Sequence, residues 1–265
     1  MEIMGYLAAA LIGVSLSLIG GGGSILTVPV MVYLFSVQPS VATSYSLFVV
    51  GAASLVGAFN SYRRNLVNMK IVLLFGTSSI ITIFLTRRFI IPAIPQTIAR
   101  FGTHTITESL LIMVLFAITM GFASVSMIRN NTRQIEECIN DKKCLYKLSL
   151  YGVAVGLLSA LLGIGGGFLI IPVLVLLLAL PVKEAIGTSL AIIALNSFIG
   201  FTADLGHIAI DWPLLFRITL IAIGGIFIGY ALSEKIPGIK LKKGFGWMLL
   251  VMAGYILTRE VFFRG

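Results

Sequence analysis

The sequence is poor in charge. Asp, Glu, Lys and Arg make up 11% of its 265 residues, whereas a soluble domain carries about a quarter. Hydrophobic residues reach 58% and mean hydropathy is +1.06, which excludes a water-soluble globular domain and points to an integral membrane protein. Cysteine is scarce as well. Cys138 and Cys144 are the only two; they share one polar stretch without a His beside them, so no metal site is predicted. They read as free thiols, or as a local disulfide if that stretch faces an oxidising compartment. Two histidines, His104 and His207, lie between apolar runs. No G-x-S-x-G, H-E-x-x-H or G-x-x-x-x-G-K-[ST] occurs, so the sequence predicts no catalytic residue, no metal and no cofactor. The charge that is present is mostly positive, +9 net. It sits in short connectors, where cytoplasmic retention of Lys and Arg accounts for it, and nucleic acid is not an expected partner. Residues 1–19 lack the basic start of a cleavable signal peptide, and none is predicted.

Glycine, by contrast, is concentrated. The stretch GIGGGFLIIP, Gly163 to Pro172, interrupts an apolar run, and GGGGSILTVP, Gly20 to Pro29, does the same 143 positions earlier. At that constant offset Gly13 pairs with Gly156, Gly20 with Gly163, Gly23 with Gly166, Pro29 with Pro172, Ala42 with Ala185, Ser46 with Ser189, Ser54 with Ser197 and Gly57 with Gly200. The chain is an internal duplication with one glycine break near the start of each copy.

The first apolar block, about 3–35, is cut by its glycines into pieces of roughly 15 and 12 residues, about 22 and 18 Å as helix, short of a roughly 30 Å hydrocarbon core. Full-length crossings are predicted near 42–60, 70–87 and 106–128. The second copy repeats the plan with a broken block near 148–180 and crossings near 184–203, 213–232 and 244–262. Residues 1–128 form the first repeat, 129–147 a charged connecting loop and 148–265 the second repeat.

Whether each broken block crosses once or returns as a hairpin decides how the copies face one another. With hairpins, one side receives Arg63, Arg64, Lys70, Arg129, Arg133, Lys142, Lys143, Lys147, Lys183, Lys235, Lys240, Lys242 and Lys243, and the other Arg87, Arg88, Arg100, Arg259 and Arg264. That is 13 against 5, with Arg217 set aside inside a crossing. Single crossings divide the same residues 10 against 8. The positive-inside rule therefore selects inverted repeats, both termini outside and the 129–147 loop cytoplasmic.

A helix that restarts inside a membrane after a glycine break presents unpaired backbone N–H groups and the positive end of its dipole, a ready site for an anion. The alternative is that the glycines only allow close helix packing. Gly22, Gly23 and Ser24 in the first copy, with Gly165, Gly166 and Gly167 in the second, are the candidate backbone donors. Ser46, Ser189 and Asn196 are candidate side-chain donors on the following crossings, although a hydroxyl in a helix also bonds back to its own turn. Arg217, one turn into a crossing, either snorkels to the interface or meets substrate. Asp204 and His207 fall in a predicted loop, as solvated groups or proton relays.

The paired stretches GGGGSILTVPVMVYL and GIGGGFLIIPVLVLLLALPVKEAIGTSL, each followed by a crossing and a loop ending in Asn68-Met69 or Asp211-Trp212, resemble the two repeats of the TauE/SafE sulfite exporter family. The resemblance spans nearly the whole chain and is stronger in the second copy. The first has Ser24 where the pattern has Gly, and Asn68 where it has an acid. It implies a transporter of small sulfur-containing or organic anions in the cell (inner) membrane.

The resulting expectation is an all-α polytopic membrane protein of two inverted repeats, each a glycine-broken re-entrant hairpin plus three transmembrane helices. It is a secondary transporter, not an enzyme, that moves sulfite, thiosulfate or an organosulfonate by alternating access; a passive anion channel and, further off, an intramembrane enzyme are the alternatives. Its partners are the anion and the lipid bilayer, with proton coupling, direction and oligomeric state left open.

Overall fold

The computed structural model describes residues 2–91, 97–101, 104–128, 142–162, 166–178, 180–206, 208, 210–233 and 238–262. Ten helices carry the chain among these residues: α1 (Glu2–Ile19), α2 (Ser24–Tyr33), α3 (Pro39–Arg63), α4 (Met69–Leu85), α5 (Glu108–Ile128), α6 (Lys142–Leu162), α7 (Gly167–Leu177), α8 (Val182–Asp204), α9 (Trp212–Ser233) and α10 (Gly238–Phe262). A 3-10 turn at Gly21–Gly23 precedes α2, and a π-helical turn at Thr86–Ile90 extends α4. The connector after α4 departs from the all-helical expectation. There β1 (Thr97–Phe101) and β2 (His104–Thr107) pair antiparallel, Phe101 opposite His104 and Thr97 opposite Thr107. Both are rich in β-branched Thr and Ile, which suit a pleated backbone.

Four of the described helices are long and apolar enough to cross a bilayer: Pro39–Arg63, Met69–Ile90, Val182–Asp204 and Trp212–Leu232. They coincide with four of the predicted crossings, and α5 and α10 occupy the other two. Outward faces are apolar: Leu55 and Phe59 on α3, Leu73, Ile81 and Phe84 on α4, and Phe216, Leu220 and Phe227 on α9 are all exposed. Apolar surface this extensive would associate in water, and in hydrocarbon it is the ordinary solvent face. The chain is an all-α, multi-pass membrane protein apart from its short hairpin.

The first broken block folds back on itself. A Cβ added at Gly23 would lie 2.6 Å from the Leu16 amide nitrogen, and one at Gly5 would lie 2.5 Å from the Phe35 ring. The Tyr6 and Phe35 rings meet edge to face at 5.9 Å. In a straight helix residues 30 positions apart, as Gly5 and Phe35 are, would lie about 45 Å apart, so α2 runs back along α1. At the second block the chain also turns at its break: a Cβ at Gly166 would lie 3.3 Å from Val155 Cγ1, 11 positions earlier. At 21 residues α6 is longer than the predicted first piece, because a polar turn from Lys142 precedes its apolar part, Tyr146–Leu162.

The two copies are interleaved. A Cβ at Gly13 of α1 would overlap the Ala222 carbonyl of α9, and one at Gly156 of α6 would lie 2.8 Å from the Ser79 carbonyl of α4. These contacts are one contact used twice, since 143 positions separate both Gly13 from Gly156 and Ser79 from Ala222. The helix starts repeat the relation. Asn68 Oδ1 accepts from the Ile71 amide at 3.4 Å and Asp211 Oδ1 from the Leu214 amide at 3.1 Å, equivalent N-caps of α4 and α9. The Asn68 amide donates to Thr188 Oγ1 at 2.9 Å, while the Asp211 amide donates to Tyr45 Oη at 2.6 Å. Thr188 and Tyr45 are themselves equivalent. Each copy thus gives its first helix to the other, the signature of a pseudo-two-fold relation, with α3 packed on α8.

Candidate anion site at the glycine breaks

The breaks of the two copies meet. A Cβ at Gly21 would overlap the Gly167 backbone, and one at Gly167 would overlap the Gly21 Cα and lie 2.5 Å from Ile193 Cδ1. Two main chains approach this closely only where neither carries a side chain. Gly20 and Gly166 have φ of 71° and 80°, the left-handed region that glycine enters without strain, and there the chain leaves one helix direction for another.

The breaks nonetheless differ in detail. Gly23 is right-handed helical and hands over through the 3-10 turn to α2, whereas its equivalent Gly166 is left-handed and starts α7 directly. Ser24 occupies the position of Gly167, and Ile164 that of Gly21. Gly165, with Gly163 and Ile164, lies outside the described residues, as do His207, Cys138 and loop residues 129–141.

The predicted side chains separate into two groups by what they bond. Ser24 Oγ donates to the Gly21 carbonyl at 2.5 Å and Ser189 Oγ to the Ile186 carbonyl at 2.8 Å, so both are held by their own turns. Ser189 also packs on the first break: a Cβ at Gly20 would lie 2.7 Å from its Oγ. Gly22 lies in the 3-10 turn. Ser46, the equivalent of Ser189, is fully buried with no hydrogen-bond partner among the described residues. Asn196 is also fully buried; its Oδ1 accepts from Ser79 Oγ at 2.9 Å while its Nδ2 bonds to nothing. Ser54, Ser159 and Ser197 add three more buried hydroxyls without partners. Ser159 on α6 was not singled out from sequence, yet it faces the second break, where a Cβ at Gly166 would overlap its Oγ. No sequence signal marks it, because it has no hydroxyl counterpart in the first copy.

Leaving a buried polar group unsatisfied costs about 1–3 kcal/mol. Ser159, against Gly166 at the second break, is such a group, and its hydroxyl can turn to an acceptor placed there. The start of α7 adds to it, because the initial N–H groups of a helix have no partner within the helix, whereas the first amide of α2, that of Ser24, already donates to the Gly21 carbonyl through the 3-10 turn. Leu169 and Ile170 are the first amides of α7 that reach the Gly166 carbonyl, both at 3.0 Å. A small oxyanion, all acceptor and no donor, is the chemical complement of this set.

The structure also contains a charged cluster that sequence reasoning placed in loops. Asp204 is the last residue of α8 and Arg87 lies in the π-helical turn. They form an ion pair whose side chains are 9% and 1% exposed. Ser44 Oγ of α3 donates to the same Asp204 Oδ2, Arg87 Nη1 reaches Ser44 Oγ at 3.3 Å, and Arg87 Nε donates to the Ala160 carbonyl of α6 at 3.1 Å. Arg87 Nη2 is buried without a partner. The 143-residue offset turns Arg87 and Asp204 into Tyr230 and Ser61, and those two also meet, Tyr230 Oη to Ser61 Oγ at 2.7 Å, with Tyr230 donating to the Gly57 carbonyl at 2.6 Å. Arg217 is instead exposed on α9.

Comparison with known proteins agrees with this architecture. Residues 6–256 match the family model described as sulfite exporter TauE/SafE. A probable membrane transporter protein of Xylella fastidiosa is 25% identical over 258 residues, 96% of this chain and 94% of its own. A probable membrane transporter protein of Methanocaldococcus jannaschii is 28% identical, covering 91% of each chain. The probable membrane transporter protein YunE of Bacillus subtilis is 30% identical over 83% of this chain and 84% of its own. No solved structure matches. The match over nearly the whole length, residues 6–256, places the chain in the TauE/SafE sulfite exporter family.

Proposed function

We propose that this protein is a secondary transporter, not an enzyme, that carries a small anion such as sulfite, thiosulfate or an organosulfonate across the cell (inner) membrane by alternating access. The observation that carries the reading is the meeting of the two glycine breaks, with the unpartnered Ser159 hydroxyl against Gly166; Ser46 and the Asn196 amide are further buried donors on α3 and α8 without partners among the described residues. Gly22 and Gly23 on one side, with Gly166 and Gly167 on the other, supply the backbone donors; Ser24 is held by the Gly21 carbonyl through both its amide and its hydroxyl, and Gly165 lies outside the described residues. Ser189 shapes the wall beside Gly20.

In this reading the pseudo-two-fold axis lies in the membrane plane, so the copies are inverted. Two observations support it: the fold-back of α2 on α1, and the 13-to-5 split of Lys and Arg that hairpins produce. The hairpins are then re-entrant, and the 129–147 loop is cytoplasmic. Because the copies interleave, a rocking of one against the other exposes the shared site to each side in turn. Hydrogen bonds to a charged group contribute about 1.5–3 kcal/mol each, so four or five donors offset the several kcal/mol that a buried anion costs, without a fixed charge at the breaks. Backbone-on-backbone packing of Gly21 and Gly167 favours a carrier over an open channel. Counterflow in proteoliposomes tests this: internal unlabelled anion should drive transient accumulation of labelled sulfite or thiosulfate, which a passive channel does not do.

A further inference from the structure

We propose that Arg87 and Asp204 couple the anion to a proton, so that a bound anion replaces Asp204 as the counter-ion of Arg87 while Asp204 takes up one proton. The inference rests on the transporter reading above and adds to it a coupling ion and the residues that bind it.

The argument begins from charge balance. The Arg87 guanidinium is in effect always protonated, and a buried cation requires a counter-charge. Its side chain is 1% exposed, and Asp204 supplies that charge now. An anion brought to the guanidinium makes one negative charge redundant, and the cheapest way to remove it in a low-dielectric site is to protonate the carboxylate. Asp204 is the less buried partner, at 9% exposure, and therefore the one a proton reaches more readily. Arg87 already has an unpartnered, buried Nη2 available to a second acceptor. The cluster also adjoins the proposed anion site: Arg87 Nε holds the Ala160 carbonyl, and the preceding residue, Ser159, faces Gly166 at the second break.

Asp204 is the one carboxylate that bonds Arg87 among the described residues. Among the described residues Arg87 is the charged side chain that bonds it, α3 presents Ser44, and α6 presents the Ala160 carbonyl to Arg87. Nearby Tyr45 accepts from the Asp211 amide, while the Asp211 carboxylate caps α9. Arg88 is exposed, and His207 lies outside the described residues. The equivalent position in the other copy is the neutral pair Tyr230 and Ser61, so the duplication supplies one coupling site rather than two. For a monoanion such as methanesulfonate the step balances: one anion and one proton enter, the Arg87–Asp204 pairing is exchanged for Arg87–anion, and net charge is unchanged; a dianion such as thiosulfate brings one further negative charge that the single proton does not offset.

Calorimetric titration of purified protein with thiosulfate and with methanesulfonate, anions whose own charge is constant across the pH range, tests the coupling. Using buffers of different ionisation enthalpy counts the protons taken up per anion. Wild type should take up close to one proton, and its apparent Kd should rise about tenfold per pH unit at the alkaline end. Asp204→Asn should bind at alkaline pH at least about tenfold more tightly than wild type, with no proton uptake. Should the unpaired Arg87 destabilise that variant, the double substitution Arg87→Gln with Asp204→Asn removes both charges; it should bind at least about tenfold more weakly than wild type at acid pH, without proton uptake. Wild-type binding without proton uptake, or undiminished uptake in either variant, overturns the coupling and identifies the pair as a structural clamp, leaving the transporter reading intact. Failure of either anion to bind wild type removes the transporter reading as well.

Discussion

At Asn196 one amide divides its work. Its oxygen is engaged by Ser79 while its nitrogen is buried without a partner, so its loss should affect binding more than folding. Asn196→Ala should weaken anion binding by about tenfold or more, the equivalent of one hydrogen bond to a charged group, with little loss of thermal stability in detergent, since Ser79 keeps its bond to the Gly76 carbonyl at 3.1 Å. Ser189→Ala should weaken binding less, because its hydroxyl is already held by Ile186. Gly166 is a different case: any Cβ there meets both a φ of 80° and Ser159 Oγ. Gly166→Ala should cost about 1–2 kcal/mol of stability from the left-handed backbone alone. Adding Ser159→Ala should recover only the steric part, which paired unfolding curves would reveal. Arg217→Gln, on an exposed face, should leave Kd within about twofold; its loss of binding would mean that Arg217 itself meets the anion.

At the level of elements, α4 and α9 begin in the same way, and the shared N-cap makes a paired prediction possible. Asn68→Ala and Asp211→Ala each remove an acceptor for an amide of the first turn and should each cost about 1 kcal/mol. Their effects should add, since the caps belong to different elements and share no partner. The α1–α9 and α6–α4 contacts are tighter than a cap, because backbone faces backbone at Gly13 and Gly156. Leu at either glycine should separate the helices and lower the unfolding temperature more than loss of either cap, which a thermal scan of the four variants would rank.

For the whole molecule, interleaving has a consequence for assembly. A half expressed alone would leave the Ala222 face of α9 or the Ser79 face of α4 without its helix. Two fragments divided within residues 129–141 should therefore be degraded singly and accumulate when co-expressed, a difference that immunoblotting of membranes would detect. Orientation gives a second test. If the charge asymmetry sets topology, Cys138 and Cys144 face the cytoplasm, and a membrane-impermeant thiol reagent applied to intact cells should leave them unlabelled. Labelling from outside would reverse the orientation.

Composition and periodicity alone determined that the chain is a multi-pass helical membrane protein, because hydrophobic runs of crossing length are a property of local sequence. They also determined the duplication and the places where helices break, since dense glycine cannot continue a helix without cost and a repeat is visible at a fixed offset. What they left open is which face meets which. That Gly21 touches Gly167, that Ser46 and the Asn196 amide remain unsatisfied while Ser24 and Ser189 bond their own turns, and that each copy gives its first helix to the other are facts of packing between segments far apart in the chain. Arg87 and Asp204 show the limit most clearly. Each sits just beyond an apolar run, where a reading by hydropathy assigns loop and water. The π-helical turn carries one inward and the last turn of α8 carries the other, and only the tertiary structure brings opposite charges to the same buried point, because the Coulomb term that holds them there exists only once the helices have met.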